Sequence, residues 1–299
     1  MRMKLLYEIA APGAPSDYLY ARIRSRRAEL DVREKSRWGR SADPRADLRL
    51  EYKWVYEEMN QQLRNRLLPV FEYFELKTLI IALRYMAAGD PSSMFAQLQL
   101  SLLQPQIIKV LRETKQVALL TAALERFLAE EYPYFSDLTK TYLREGPGGL
   151  EQVLVGRCLQ QGIARSRSRQ VREFLRYLLD MRNLQAMYKH LRWQVPVTPP
   201  ILSGGGLSPA ACEKVWAEKN LTSLLELIRK QAKLVDSPSE DGVEDYLLRG
   251  LSARLRRGGR DPLQLGVVID YLWRCQLETR TRGRELAGVE QVRVEETAG

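Results

Sequence analysis

Asp180-Met181-Arg182-Asn183-Leu184-Gln185-Ala186-Met187-Tyr188-Lys189-His190-Leu191-Arg192-Trp193 aligns without gaps on Glu72-Tyr73-Phe74-Glu75-Leu76-Lys77-Thr78-Leu79-Ile80-Ile81-Ala82-Leu83-Arg84-Tyr85, 108 residues earlier (72 to 180). Acid falls on acid, Leu on Leu, Leu-Arg on Leu-Arg and aromatic on aromatic. A weaker third copy starts at Glu278, 98 residues further on (180 to 278), inside Tyr271-Leu272-Trp273-Arg274-Cys275-Gln276-Leu277-Glu278-Thr279-Arg280-Thr281-Arg282. A period near 100 residues is too long for a solenoid, whose units run about 20–50 residues. It points to three similar helical lobes. Any two amphipathic helices share part of such a pattern, so the repeat is read together with the rest of the chain.

The 299 residues allow two domains at about 150 residues each, or one large helical body. Apolar residues make up 45%, enough for a sizeable core, and 47 Lys and Arg against 37 Asp and Glu give a formal charge of +10. That balance favours acidic partners, anionic lipid surfaces or nucleic acid and says nothing about fold. Cys158, Cys212 and Cys275 are scattered and odd in number, which reads as reduced thiols of a cytoplasmic protein. The longest uncharged runs, Pro91 to Ile108 and Trp193 to Cys212, are broken by Gln, Pro and Gly. Neither is the apolar span of roughly 20 residues that a bilayer needs. Glu8, Pro12 and Gly13 likewise interrupt any signal-peptide core after Arg2 and Lys4.

The chain reads as all-α. Asp43-Pro44, Asp90-Pro91, Ser208-Pro209 and Asp261-Pro262 each announce a helix start: a side-chain oxygen can cap free amides, and Pro tolerates the first helical position. Val171, Phe174, Leu175 and Leu178 share one helical face, as do Val268, Tyr271, Leu272 and Cys275. Helices are expected over 16–38, 45–68, 70–88, 92–103, 106–130, 136–145, 149–162, 167–193, 208–219, 221–235, 240–257 and 262–287. Alternating strand patterns are absent, and the best short-turn signal, Asp241-Gly242, lacks flanking alternation.

Catalytic signatures are sparse. His190 is the single histidine, and no closely paired cysteines could complete a zinc site with it. A nucleophilic triad would need the same His190. There is no Gly-x-x-x-x-Gly-Lys-Ser/Thr loop for nucleotide phosphates. Gly204-Gly205-Gly206 follows a Pro-rich loop rather than a strand, so it is no dinucleotide fingerprint. Arginines cluster at 22-24-26-27, 165-167-169-172, 254-256-257-260 and 280-282-284. Nucleic-acid binding is the sharper reading of these clusters. Without a recognition module the plainer one is preferred: a solvated basic face, or one meeting acidic protein loops.

Four stretches in order resemble one family. Tyr18-Leu19-Tyr20-Ala21-Arg22-Ile23-Arg24 looks like the Tyr-x-Asn-Ala-Arg-x-Arg opening helix of the C-type subunits of V-type and archaeal-type ATPases, a family whose eukaryotic V-ATPase members are the d-type subunits. Asp180-Met181-Arg182-Asn183-Leu184 resembles its Asp-x-x-Asn-Leu helix, and Ile201 to Ser208 its Gly-Gly loop. Asp261 to Leu272 is similar to the lead-in to its last helix, whose Glu is matched by Glu278. Tyr20 departs from the opening Asn, Glu75 and Thr281 stand where Asn is usual, and Arg282-Gly283 replaces a Leu-Arg.

The resemblance implies an all-α, funnel-shaped body of three pseudo-symmetric lobes, divided here at 1–95, 96–203 and 204–299. It implies a non-catalytic coupler without cofactor, metal or small-molecule substrate, peripheral on the cytoplasmic face of the membrane. Its implied partners are the proteolipid rotor ring, the central stalk subunits of D and F type and the membrane stator subunit, with no nucleic acid. The motif residues are Tyr18, Arg22, Asp180, Asn183, Leu184, Gly204, Gly205, Tyr271 and Glu278. Asp and Asn are poor inside helices because they compete for backbone bonds. At motif positions, Asp180 and Asn183 are therefore expected to bond backbone groups of a neighbouring helix or loop, the alternative being exposed polar residues. Gly204 to Gly206 are expected to supply a turn with positive φ, the alternative being a flexible linker. A helical nucleic-acid-binding or scaffold protein is the other function class.

Overall fold

A computed structural model describes residues 4–31, 43–240 and 242–298. The expected helix beyond Asp31 and the turn residue Asp241 lie outside them. The chain is 74% helical in 12 α-helices, with no strand among the described residues. These are α1 Ser16–Asp31, α2 Pro44–Glu58, α3 Gln61–Ala87, α4 Pro91–Leu98, α5 Pro105–Glu113, α6 Val117–Leu128, α7 Leu138–Arg165, α8 Arg169–Arg192, α9 Pro209–Glu218, α10 Leu221–Ala232, α11 Val243–Gly258 and α12 Gly266–Ala298.

Three of the four Pro-marked starts form as caps. Asp43 accepts from the Arg45 amide, Asp90 from the Ser93 amide at 3.1 Å and Ser208 from the Ala211 amide, with the next residue, Pro, opening the helix. The fourth does not. Asp261 takes the Leu263 amide at 3.1 Å and the Gln264 side chain at 2.6 Å, which closes a local turn. Helix α12 therefore begins at Gly266 rather than 262, and it runs on to Ala298 rather than 287.

Other boundaries also move. The break expected at Pro69 falls at Met59–Asn60 instead. Met59 is extended, and the Asn60 side chain accepts from the Leu63 amide at 3.0 Å. Pro69 lies inside α3. The single helix expected over 106–130 is split by an extended Thr114. The break expected between 136–145 and 149–162 is present: within α7 the backbone leaves the helical conformation at Gly146, whose φ of 70° suits glycine.

The chain divides into two compact units. One comprises residues 9–64, 99–102 and 256–299. In it α12 packs on α1 and α2, and part-buried polar links join the three helices. Arg26 binds both oxygens of Glu51 at 2.5 and 2.7 Å and lies 3.6 Å over the Trp54 ring. The buried Tyr271 hydroxyl donates to Glu51 at 2.8 Å. Arg27 donates to Asp270 and to the Gly259 carbonyl, Arg22 to Glu58, and Arg282 to Asp47. Members of two arginine clusters are thus committed to acids of the same unit.

The other unit comprises residues 1–8, 65–98 and 103–255. Its segment at Leu5 and Leu6 is buried, and Gln104 donates its amide to the Leu5 carbonyl at 3.0 Å. A core cluster joins Leu184 and Met187 of α8 to Cys212 and Trp216 of α9, Leu224 and Ile228 of α10, and Tyr246 and Leu247 of α11. All three cysteines are buried and unpaired. Burial pushes their thiols up in pKa, which makes them inert core residues.

Candidate functional site

Helix α8 starts on the Ser168 cap and turns its apolar face, including Val171, Phe174, Leu175 and Leu178, into the core. The opposite side of the helix is buried too, and it carries two polar residues, Asp180 and Asn183, which are 0% and 2% exposed. Burying them requires partners. The loop between α8 and α9 supplies them. Asp180 Oδ2 accepts from the Gly206 amide at 2.9 Å and Oδ1 from the Leu207 amide at 3.0 Å. Gln231 of α10 adds a third donor to Oδ2 at 2.7 Å. One turn on, Asn183 makes a reciprocal pair with Leu202: its Nδ2 donates to the carbonyl at 2.8 Å, and its Oδ1 accepts from the amide at 3.0 Å.

The glycines follow from this geometry. Gly204 has φ of 97°, in the left-handed region. Gly205 serves otherwise, because a Cβ there would collide with Asp180 Oδ1. The positive φ expected of all three glycines thus applies to Gly204 alone.

The Asp180 pKa is raised by burial, against the pull of the Leu207 and Gly206 amides, of Gln231 and of the Arg254 charge. With amide donors on both oxygens, this carboxylate is built to hold a loop rather than to move protons. Leu184 is buried in the core beside it.

Sequence reasoning gave no sign of Gln231, which carries no pattern of its own, or of the environment of Glu72. Glu72 occupies the Asp180 position of the first copy. Burial pushes its carboxyl up to about 7, against the Tyr132 hydrogen bond and the Arg165 charge, with Glu131 adding to the rise. The Tyr132 hydroxyl in turn accepts from the Leu5 amide at 3.1 Å. The second copy grips backbone amides directly, while the first reaches one through a tyrosine. A carboxyl titrating near neutrality is a mark of active sites. Here it is only 5% exposed, with Tyr132, Tyr134 and Cys158 among its neighbours.

The remaining motif residues lie apart from this loop anchor. Tyr18 is exposed under the Arg22 guanidinium, and Tyr271 is buried on Glu51. Glu278 is half-buried on α12. His190 spends its Nδ1 on the Ala186 carbonyl at 2.8 Å. Among the described residues no group of three or more His, Cys, Asp or Glu could hold a metal ion.

Asn183→Leu is expected to unpair the Leu202 amide and carbonyl together. A buried group left unpaired costs about 1–3 kcal/mol, so the melting midpoint should fall measurably. An unchanged midpoint in thermal melts would show that the loop holds without Asn183.

The fold and this anchor define a class: an all-helical protein whose sequence motif ties a helix to the glycine loop that follows it. The family model described as ATP synthase (C/AC39) subunit matches residues 45–281, and the chain belongs to that family. Its members are subunits of an ATPase complex. No curated protein matches the sequence.

Proposed function

We propose that this chain is the non-catalytic central-stalk subunit of a rotary V/A-type ATPase or ATP synthase, coupling the rotating stalk to the membrane proteolipid ring for proton or sodium transport. The observation that carries the reading is the family match, which spans most of the chain and includes the Asp180–Asn183 anchor. A torque coupler needs elements that do not slide on each other. Two buried side chains that fix five hydrogen bonds between α8, its following loop and α10 fit that need. Three pseudo-symmetric lobes in a funnel, and a place on the cytoplasmic face of the membrane, belong to the same proposal. The proposed partners are the ring, the D- and F-type stalk subunits and the stator. No helix among the described residues is long and apolar enough to cross a membrane, so attachment is read as protein-mediated.

Extracted membranes should retain the chain only when ring or stalk subunits are present, and the purified chain should not hydrolyse ATP. Retention in membranes lacking both would count against the coupler. So would ATP turnover that survives purification and is abolished by a point substitution in this chain.

A further inference from the structure

The Glu72 position carries a link of its own, to residues 4–8. Leu5 and Leu6 of that segment are buried, at 0% and 2% exposure. Leu6 forms a backbone bridge with Leu103, and the Leu5 carbonyl accepts from the Gln104 amide. The Leu5 amide donates to the Tyr132 hydroxyl at 3.1 Å, and that hydroxyl is hydrogen-bonded in turn to Glu72. The segment, the tyrosine and the carboxyl thus form one chain of hydrogen bonds.

The carboxyl at its inner end is incompletely bonded. Glu72 is 5% exposed, and its Oε1 is buried without a hydrogen-bond partner among the described residues. The groups around it do little to offset a negative charge. Arg165 is exposed and donates to the Glu131 carbonyl. Glu131, Tyr132 and Tyr134 in the connection from α6 to α7, and Cys158 of α7, bring no positive charge. Glu75, three residues on along α3, is a second buried acid, and α8 brings the ring of Phe174 against Phe74. On the segment itself Lys4 pairs with Glu8 at the surface, and Tyr7 is half-buried. A protonated carboxyl tolerates such a place, whereas a carboxylate with a bare oxygen does not.

We propose that residues 4–8 are a pH-sensitive latch, closed over Tyr132 and Glu72 while the carboxyl holds its proton and lifted when it ionises, so that water reaches it past Tyr132. Two effects of the ionised form compete. A carboxylate polarises the Tyr132 hydroxyl and makes it a better acceptor for the Leu5 amide, which resists release. Burial opposes the charge itself, and it is the larger influence on Glu72. The segment is the cover that yields, because an isolated bridge and two hydrogen bonds hold it, while Glu72 sits within a helix of 27 residues. The closed form keeps the proton up to about pH 7, and a hydrated carboxyl only up to the ordinary 4.5. Opening therefore becomes more frequent as pH rises between these values, by up to about tenfold per unit, and levels off above them. The latch lies within one unit and stands apart from the coupler reading.

The test is amide hydrogen exchange of the full chain, read by NMR at Leu5 in the wild type and in Glu72→Gln at pH 5, 6, 7 and 7.5. Taking the ratio of the two rates at each pH removes the intrinsic pH dependence of exchange. The ratio should rise at least tenfold from pH 5 to 7 and hold from 7 to 7.5. In urea well below the melt the Leu5 rate should stay constant, whereas the rate at Leu179, in the buried face of α8, rises with global unfolding. Tyr132→Phe keeps the ring and cuts the chain, so Leu5 should exchange at least tenfold faster than in the wild type at pH 5. A flat ratio would overturn the proposal. So would a Leu5 rate that climbs with urea as the Leu179 rate does, or a Tyr132→Phe rate equal to the wild type's. Failure here leaves the membrane-retention result untouched, and failure of that result leaves this one standing.

Discussion

Asp180→Ala is expected to be the most damaging single change in the loop anchor. It takes the fully buried carboxylate away from three part-buried donors, the Gly206 amide, the Leu207 amide and the Gln231 side chain. At about 1–3 kcal/mol per orphaned group, less the desolvation recovered by deleting a buried charge, the loss is about 3–5 kcal/mol. Against a total stability of about 5–15 kcal/mol that is severe, and the midpoint of a chain this size should fall by about 10 °C. Asp180→Asn should lose less, since one oxygen still accepts. Gly205→Ala should approach the alanine variant from the other side, because its Cβ collides with the carboxylate and the loop must lift. Thermal melts of the three variants check the order. If Asp180→Ala melts within a degree of the wild type, the loop has another hold.

The second large effect is in pH. The Glu72 carboxyl titrates at about 7 in the folded chain, against a reference value of 4.5. Below pH 4.5 both folded and unfolded chains carry the proton, and the stability tied to this group is fully present. Between 4.5 and about 7 the unfolded chain releases its proton while the folded chain keeps it, so stability drains away as pH rises. The whole loss is about 3 kcal/mol, and above about 7 the slope from this group ends. Asp180, also raised by burial, adds a contribution of the same sign. Glu72→Gln should flatten the slope and be more stable than the wild type at pH 8, because it keeps the shape without the charge. Denaturant melts at pH 5, 6, 7 and 8 decide this. A wild-type slope that matches the variant's would mean the carboxyl is solvated in solution.

Much of the fold was legible because helix signals are local. Asp43, Asp90 and Ser208 bond amides two or three residues away, so their spacing alone announced them. Pro69 misled because a proline inside a helix is costly, about 3 kcal/mol by general rule, yet here packing holds α3 continuous through it. Asp261-Pro262 misled because the same Asx chemistry closes a turn as readily as it caps a helix. The gap between α5 and α6 has neither glycine nor proline to mark it. In the anchor, Asp180, Asn183 and the glycines were legible as a motif, since they lie within 27 residues of each other. Gln231 was not, being 51 residues from Asp180, nor was the Leu5–Tyr132 link across 127. Arginine clusters show charge, but which acid each arginine takes is a long-range fact: Arg27 and Asp270 are 243 positions apart.

That last separation has a consequence for synthesis. At about 5–20 residues per second, α1 leaves the ribosome roughly 12–50 s before the Asp270 that its Arg27 binds. In the interval the apolar face of α1, with Leu19 and Ile23, has no α12 to cover it. The unit containing α8 and its loop draws only on residues up to 255 and can reach its final form while the last helix is still being made. The α1 helix is therefore expected to find its place only after the unit containing α8 has formed. For that period it depends on whatever shields nascent apolar surface in the cell.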